Sequence, residues 1–255
     1  MSRGIVVVAS SRAGKPSRRA AQRESTLLEI RREGRRRLVS EGEAGVTLRP
    51  IARALGLTAP ALYRYYASRD ELLLDLIADL YAELTEGMER ASAGPPPQDL
   101  AARTVAVTWE FRRWARANPR EFQLVFATPV GTGEDSRTER LDACGQRFGR
   151  VYQTLFAEIW QRAPFPIPAD DDLDPRLRAQ LATWAADNDI PLPLGALAMF
   201  LGCWVRIYGL ISLEVFGHLG FALEDVTPMY DAMMAELGAR LGLPWRAEFG
   251  CPEPG

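Results

Sequence analysis

Residues 46–76, VTLRPIARALGLTAPALYRYYASRDELLLDL, decide the fold of this chain. Thr47 is a favourable N-cap, and the apolar residues that follow it recur at helical spacing. Gly56 stands where a helix can end in a left-handed residue. Thr58 is the N-cap of a second short helix, with Pro60 in the first turn, where no amide partner is needed. The stretch therefore predicts two short helices joined by a tight turn.

A third helix follows at once. Ser68 and Glu71 match the S-x-x-E capping box, and the leucines after them continue at amphipathic spacing through residues 69–93. Two short helices with a turn of about four residues have the geometry that places the second helix in a DNA major groove. The segment therefore predicts a helix-turn-helix that leads into a long connecting helix.

The second short helix, APALYRYY at residues 59–66, carries an aromatic and cationic outer face. Three tyrosines and two arginines fall within residues 63–69. Apolar repeats and caps alone would build a three-helix bundle, but a bundle does not require this composition. The face therefore favours contact with a polyanion.

The charge distribution indicates DNA binding independently of the motif. Residues 1–69 carry 15 of the 31 Lys and Arg residues and 5 of the 33 Asp and Glu residues, a formal +10. The remaining residues hold 16 basic and 28 acidic side chains, a formal −12, although the whole chain is at −2. A local basic region is sufficient for counterion release on DNA. A basic tail could explain the basic residues from Arg3 to Arg19, but not the arginines of residues 31–37, which lie in a helical pattern.

The order Thr47, IARALGLT, ALYRYY and SRDELL resembles the DNA-binding domain of the TetR family of bacterial transcriptional regulators. The resemblance implies that Thr47, Tyr63 and Tyr65 contact the DNA backbone and that Arg69, in place of a usual lysine, holds a phosphate. Arg49 and Arg64 would supply hydrogen bonds to bases, and Tyr66 would belong to the core. The full set of implied DNA contacts is Thr47, Arg49, Thr58, Ala59, Pro60, Ala61, Tyr63, Arg64, Tyr65 and Arg69.

The rest of the chain reads as further helices, so the predicted fold class is all-α. After the GPPP at residues 94–97, helices are expected at 99–117, 120–127, 138–162, 174–188, 194–219 and 224–242, with a mobile loop at 128–137. The apolar helix from Leu194 could be mistaken for a membrane span. Its charge-free run of residues 190–205 begins near two prolines and is shorter than the roughly 20 residues that a span needs. We therefore expect a buried helix and no membrane partner.

The last two helices predict a homodimer. Small residues on the apolar helix would let another helix approach closely, and the final helix has a seam near heptad spacing. A four-helix interface with two helices from each subunit is expected. The residues predicted for it are Gly195, Ala198, Gly202, Met229, Met233 and Leu237.

The same apolar helix extends the resemblance. Trp204-x-x-x-Tyr208-Gly209 is similar to a W-x-x-x-H-G motif in one branch of the family, with Tyr208 in place of histidine. In the family that helix lines both the dimer interface and a ligand cavity, so the resemblance implies an effector site between packed helices. Tyr208 would offer one orienting hydrogen bond. The predicted effector residues are Trp109, Phe126, Phe148, Trp204 and Tyr208, each of which could equally be core.

Catalysis is not indicated. His218 is the one histidine in the sequence, and it falls near a helix end. The sequence shows no Ser/His/Asp set, metal cluster or phosphate loop, so no catalytic residue, metal or cofactor is predicted. The residues 170–172 (DDD) resemble a solvated acidic turn more than a cation site. Three widely spaced cysteines suit a reducing cytoplasm, and Cys203 fits core packing better than redox sensing.

These observations predict a cytoplasmic, homodimeric, ligand-responsive transcriptional regulator. It would repress from a palindromic operator and be released by a small apolar effector. An activator, or a regulator that needs its effector for binding, fits the sequence too; a helical enzyme and a nonspecific nucleoid protein fit less well. The expected organisation is a basic arm at 1–17, the DNA-binding domain at 18–68, a connecting helix at 69–93, an effector and dimerisation domain at 94–245, and a tail at 246–255.

Overall fold

The computed structural model of the chain describes residues 18–127, 136–244, 246 and 249. In this part of the chain all regular structure is helical, as the sequence predicts. The predicted basic arm and most of the predicted mobile loop and tail lie outside the described residues. The chain divides into two compact units, residues 1–73 and 74–255. This division falls inside the predicted connecting helix rather than at its start.

The N-terminal unit contains α1 (Arg18–Glu41), α2 (Leu48–Ala54), α3 (Ala59–Tyr63) and the first turns of α4 (Arg69–Ala93). One apolar face of each helix is buried in a common core, as the helical spacing in the sequence requires. The core side chains are Ile30, Leu38, Val46, Leu48, Ile51, Ala52, Leu62, Tyr66, Leu72 and Leu73.

The turn between α2 and α3 depends on a glycine. Gly56 has a φ of +66°, a region that other residues enter at a cost. The Leu57 amide donates to the Ala52 carbonyl at 2.8 Å, and the Gly56 amide donates to the Arg53 carbonyl at 3.2 Å. This is the Schellman pattern, which satisfies the last carbonyls of α2 and directs the chain into α3.

The predicted caps of α3 and α4 are present. The Ala61 amide donates to the Thr58 hydroxyl at 3.3 Å. The Glu71 amide donates to the Ser68 hydroxyl at 3.1 Å, while the Glu71 carboxylate accepts from the Ala67 amide at 2.7 Å. The reciprocal bond thus reaches one residue before the N-cap, a small variation on the capping box.

The C-terminal unit contains the rest of α4 and six further helices within the described residues. They are α5 (Leu100–Ala117), α6 (Pro119–Phe122), α7 (Ser136–Arg162), α8 (Pro175–Asp187), α9 (Leu194–Val215) and α10 (Thr227–Arg240). Where the sequence predicts a single short helix at 120–127, α6 passes into a π-helical segment, Gln123–Ala127.

Two predicted helix boundaries differ from the structure by three residues or more. We expected the apolar helix to reach residue 219, but α9 ends at Val215 because Gly217 takes a φ of +71°. The His218 amide then bonds the Leu213 carbonyl at 2.8 Å and closes a second Schellman turn. We expected the last helix to start at 224, but α10 starts at Thr227, whose amide donates to the Asp225 carboxylate at 2.9 Å.

A buried ion pair joins three helices of this unit. Arg112 of α5 is completely buried, and its guanidinium donates two hydrogen bonds of 2.7 Å to the Glu214 carboxylate of α9. A third bond of 3.0 Å reaches the Thr227 hydroxyl at the start of α10. The guanidinium also lies over the rings of Trp109 and Tyr230, at 5.0 and 4.7 Å from their centroids. Since a buried charge must be paired, these contacts fix the three helices together.

Helix α9 is only partly covered by its own chain. Among the described helices it alone is long and apolar enough to cross a membrane by length and composition, and 33% of its most apolar window is buried. Val205, in the middle of the helix, is 65% exposed. A helix that is apolar on most sides needs cover beyond what this chain supplies.

Candidate DNA-binding face and effector cavity

The helix-turn-helix exposes part of the predicted DNA contact set. Arg49, Thr58, Pro60, Tyr63 and Arg64 are exposed, and the Tyr63 side chain is 48% exposed despite its size. Arg64 is the C-cap of α3, one residue beyond the last helical position. These five side chains are therefore in position for contact with a flat or grooved partner.

Thr47, Ala59, Ala61 and Tyr65 are partly buried. Thr47 is the N-cap of α2, but its side chain makes no capping hydrogen bond, in contrast to Thr58. The Arg23 guanidinium of α1 lies over the Tyr65 ring at 5.3 Å from its centroid. Tyr65 thus packs against α1. It also occupies a position at which the resemblance implies a DNA contact. Tyr66 is buried, which confirms its prediction as core.

Arg69 is engaged within its own unit. Its Nε donates to the Val46 carbonyl at 2.9 Å, and Nη2 donates to the Glu43 carbonyl at 2.8 Å and to the Glu43 carboxylate at 3.0 Å. These bonds join the start of α4 to the segment before α2. The resemblance implied a phosphate contact for this arginine; the geometry gives it a structural role that the sequence pattern did not reveal.

The positive charge of α1 is partly neutralised within the helix. Arg36 and Arg37 both donate to Glu33, at 2.7 and 2.9 Å. The hydrogen bond from Arg36 is the main reason that the pKa of Glu33 lies below its usual value. Arg37 also pairs with Glu41. Arg32 and Arg53 are exposed, like Arg49 and Arg64 of the predicted contact set, so the unit retains outward-facing cations.

A cavity lies in the C-terminal unit, between α5, α7, α9 and α10. Its volume is about 70 Å³, and almost all of its lining is apolar. Phe156, Ile159, Leu241 and other residues of the surrounding core form its walls. No charged side chain is among the described residues that line it. The residues involved are Ala101, Thr104, Val105, Thr108, Tyr152, Leu155, Phe156, Ile159, Phe200, Cys203, Trp204, Ile207, Met234, Leu237, Gly238, Leu241, Leu243, Pro244 and Phe249.

The five residues predicted for an effector site do not all line this cavity. Trp204 does. Phe126 and Phe148 pack against each other at 5.6 Å between ring centroids, and Tyr208 stacks on Trp204 at 5.3 Å. Trp109 donates its ring N–H to the Phe249 carbonyl at 3.0 Å. Phe126, Phe148 and Tyr208 thus belong to a packed aromatic cluster next to the cavity.

The Tyr208 hydroxyl, which was predicted to orient an effector, has a partner within the chain. It donates to the Phe126 carbonyl at 3.0 Å. That carbonyl belongs to the π-helical segment Gln123–Ala127, so this bond links α9 to that segment. The tyrosine that lines the cavity is Tyr152. It is not in the predicted effector set, because nothing in its neighbouring sequence distinguishes it from a core residue.

Of the six residues predicted for a dimer interface, some are exposed in this chain and others are buried in it. Gly202 and Met229 are exposed, and Ala198 and Met233 are partly buried. Gly195 is buried, and a Cβ there would lie 2.2 Å from the Pro168 carbonyl, so this glycine accommodates a loop of its own chain. Leu237 is buried and lines the cavity. Gly195 and Leu237 therefore face inward in this chain.

Comparisons with known proteins identify the class of protein. Residues 30–76 match the family model described as "Bacterial regulatory proteins, tetR family", and residues 104–237 match "Tetracyclin repressor-like, C-terminal domain". The two matches cover the helix-turn-helix and the part of the C-terminal unit that contains most of the cavity. The chain belongs to the TetR family of transcriptional regulators, as the sequence predicts.

Individual relatives agree with this assignment. The HTH-type transcriptional regulator Rv1816 of Mycobacterium tuberculosis is 32% identical over 233 residues, covering 90% of this chain and 97% of the relative. The HTH-type transcriptional regulator Mb1846 of Mycobacterium bovis matches to the same extent. Among solved structures, the regulatory protein SCO4313 has 26% identity and a TM-score of 0.66, covering 88% of this chain and 98% of that one. The chain is therefore a transcriptional regulator with a DNA-binding domain, and not an enzyme.

Proposed function

We propose that the chain is a cytoplasmic, homodimeric repressor that binds a palindromic operator and is released by a small, largely apolar molecule. The observation that carries the ligand response is the apolar cavity of the C-terminal unit. A cavity lined by apolar side chains with a few polar groups is the usual form of a small-molecule site. The DNA-binding domain carries the other part of the proposal, which is operator binding.

Operator reading is assigned to α3 and the start of α2. Arg64 and Arg49 are exposed and carry planar, bidentate donors of the kind that pair with guanine. Thr47 and Tyr63 would contact the backbone and fix the position of the unit. Ala59 and Ala61 cannot donate from their side chains, so methyl contacts to thymine are the readout that remains for them.

Dimerisation is assigned to the outer face of α9 together with α10. Gly202, Val205, Gly209 and Leu213 recur at the spacing of one helical face. Val205 and Leu213 are exposed, and a Cβ added at Gly202 or Gly209 would meet no described atom within 4 Å other than those of its chain neighbours and the backbone of its own helix. A second copy of the chain that packs on this face would cover the apolar surface that its own fold leaves open.

The predicted interface set is revised accordingly. Ala198, Gly202, Met229 and Met233 stay in the proposal, while the inward-facing Gly195 and Leu237 leave it. Val205 and Leu213 enter on their exposure. A salt bridge of 3.0 Å between Arg206 and Glu236 links α9 to α10 and would hold both helices in register at the interface. The revised set is Ala198, Gly202, Val205, Gly209, Leu213, Met229 and Met233.

Release follows from the shared use of α9 and α10. Both helices line the cavity, and both carry the proposed interface. A cavity of about 70 Å³ holds only a few water molecules, so a larger ligand must widen it. Widening would displace the interface helices and favour a dimer whose two reading heads no longer match the operator.

Footprinting on the DNA upstream of the chain's own gene tests the proposal. We expect two protected half-sites whose centres lie about 34–36 Å apart, or a multiple of that distance. Addition of a metabolite extract should remove the protection. Protection that requires the extract would indicate an effector-dependent binder, and uniform protection of all DNA would contradict an operator-specific regulator.

A further inference from the structure

The cavity of the C-terminal unit has a polarity that restricts its ligand. None of the described residues that line it is charged, and its side chains with hydrogen-bond donors are Thr104, Thr108, Tyr152, Cys203 and Trp204. The nearby Arg112 directs its guanidinium to Glu214 in a bidentate pair. A ligand in this cavity therefore meets no cation or anion that is available as a counter-charge in the lining.

The two threonines can only accept hydrogen bonds from a ligand. The Thr104 hydroxyl donates to the Leu100 carbonyl at 2.8 Å. The Thr108 hydroxyl donates to the Thr104 carbonyl at 2.7 Å, with the Val105 carbonyl at 3.0 Å. A hydroxyl has one proton, so both protons are committed to the backbone of α5. Burial raises the pKa of the Cys203 thiol, which keeps it neutral and a weak donor.

Tyr152 of α7 differs from the other donors of the lining because its hydroxyl is buried and has no hydrogen-bond partner among the described residues. Burial holds the pKa of Tyr152 well above its ordinary value, so the phenol keeps its proton. The ring packs edge-on against Phe148 at 6.1 Å between centroids and lies 5.9 Å from Trp204. A buried donor without a partner is unfavourable, and a ligand acceptor would satisfy it.

We infer that the cavity binds an uncharged, mainly apolar molecule with one hydrogen-bond acceptor, such as a ketone, ester or ether, which accepts from the Tyr152 hydroxyl. This inference rests on the proposed function, because it names the ligand class of the same site. A carboxylate or ammonium group would lose its hydration without gaining a partner charge. The flexible side chain of Met234 lines the cavity and can adapt to the shape of such a molecule.

Three probes with eight carbon atoms test the ligand class on the full chain without DNA. They are 2-octanone, octanoate and octylammonium, which are neutral, anionic and cationic at pH 7. Binding is measured by calorimetry and by the fluorescence of the tryptophans, since Trp204 lines the cavity. We expect 2-octanone to bind at least about tenfold more tightly than either ion. Octanoate or octylammonium binding as tightly as 2-octanone, or no binding of 2-octanone, would overturn the inference.

Tyr152→Phe tests the anchor. It removes only the hydroxyl and should weaken 2-octanone binding by about three- to tenfold. Tyr81→Phe is the matched control, because Tyr81 is a partly buried tyrosine of the same unit that packs on Phe126 and Phe148 and does not line the cavity. Equal binding of 2-octanone by the wild type and by Tyr152→Phe would show that the Tyr152 hydroxyl does not bind the ligand.

Operator release is measured separately, so that the two levels of proposal can fail independently. If 2-octanone binds as expected but does not change operator affinity, the ligand class stands and the repressor mechanism fails. If a charged molecule releases the operator while 2-octanone does not bind, the repressor mechanism stands and the ligand class fails.

Discussion

The two units of this regulator assemble their sites over very different distances along the chain. In the N-terminal unit the implied DNA contacts all lie within residues 47–69, on α2 and α3, on the residues that flank these two helices, and on the first residue of α4. In the C-terminal unit the cavity draws its lining from residues as far apart as Ala101 and Phe249. The DNA face is therefore defined by caps and turns, and the cavity is defined by how long helices pack.

This difference determines how strongly a single substitution should affect each unit. The N-terminal unit depends on local bonds that substitutions remove one at a time. The C-terminal unit depends on contacts such as Arg112–Glu214, where one side chain holds three helices. Substitutions in the second unit should therefore have larger effects than those in the first, and the effects should reach further.

Val205→Glu should have the largest effect on function. It places a charge in the middle of the proposed interface of α9, so we expect a monomer in sedimentation and a loss of operator affinity of about 10²- to 10⁴-fold, since the two half-sites are no longer bound together. Leu177→Glu on α8 is the matched control, because Leu177 is also an exposed apolar residue of this unit. A dimeric Val205→Glu protein would place the interface elsewhere.

Arg112→Ala should have the largest effect on stability. It leaves the buried Glu214 carboxylate with only the half-exposed Arg116, at 3.3 Å, as a charge partner. Loss of a buried charge partner typically lowers the free energy of unfolding by about 3–5 kcal/mol, and Arg116 should hold this loss to the lower end of that range. Arg113, the neighbour of Arg112, is 69% exposed and pairs with Glu110 on the same helix. Arg113→Ala should change stability by less than about 1 kcal/mol in the same denaturant titration. Similar losses in the two variants would contradict the role given to the buried pair.

Arg69 separates a structural role from a DNA-binding role in the N-terminal unit. Arg69→Ala should lower the stability of this unit by about 1.5–3 kcal/mol, because the bonds to Val46 and Glu43 are lost. Arg69→Lys should recover little of this loss, since an ammonium cannot reproduce the guanidinium fork. Amide exchange in α2 reports the stability. A fully stable Arg69→Lys protein, together with an Arg69→Ala salt slope lower by about one unit, would restore the phosphate role.

Local features were predictable from the sequence because their determinants lie within a few residues. Gly56 had to be glycine for the left-handed turn, and Ser68 with Glu71 had to begin α4. The family resemblance, and not a local signal of this kind, placed Tyr66 in the core. Arg69 is an exception within the N-terminal unit. Its partners Glu43 and Val46 precede it by more than twenty positions, so no local sequence pattern indicates these hydrogen bonds.

The cavity could not be predicted in the same way. Tyr208 and Tyr152 both lie on helices that are rich in aromatic residues. The sequence around each tyrosine does not reveal that the Tyr208 hydroxyl bonds a backbone carbonyl while Tyr152 lines a cavity. The sequence pattern assigned Met229 and Leu237 of α10 to one interface, whereas in the structure Leu237 is buried and Met229 is exposed. A rotation of about 100° per residue makes such errors inherent in reading one helix at a time.

Operator discrimination by Arg64→Ala tests most directly the central claim that the exposed face of α3 reads DNA sequence. Affinity is measured for the footprinted operator and for random DNA of equal length at several salt concentrations, with the exposed Arg53 of α2 changed to alanine as the control. We predict that Arg64→Ala lowers the preference for the operator by about 1–3 kcal/mol per lost base contact, with little change on random DNA. Arg53→Ala should keep the preference. An equal loss of affinity on both DNAs would show that Arg64 contacts only the backbone and would contradict the assignment.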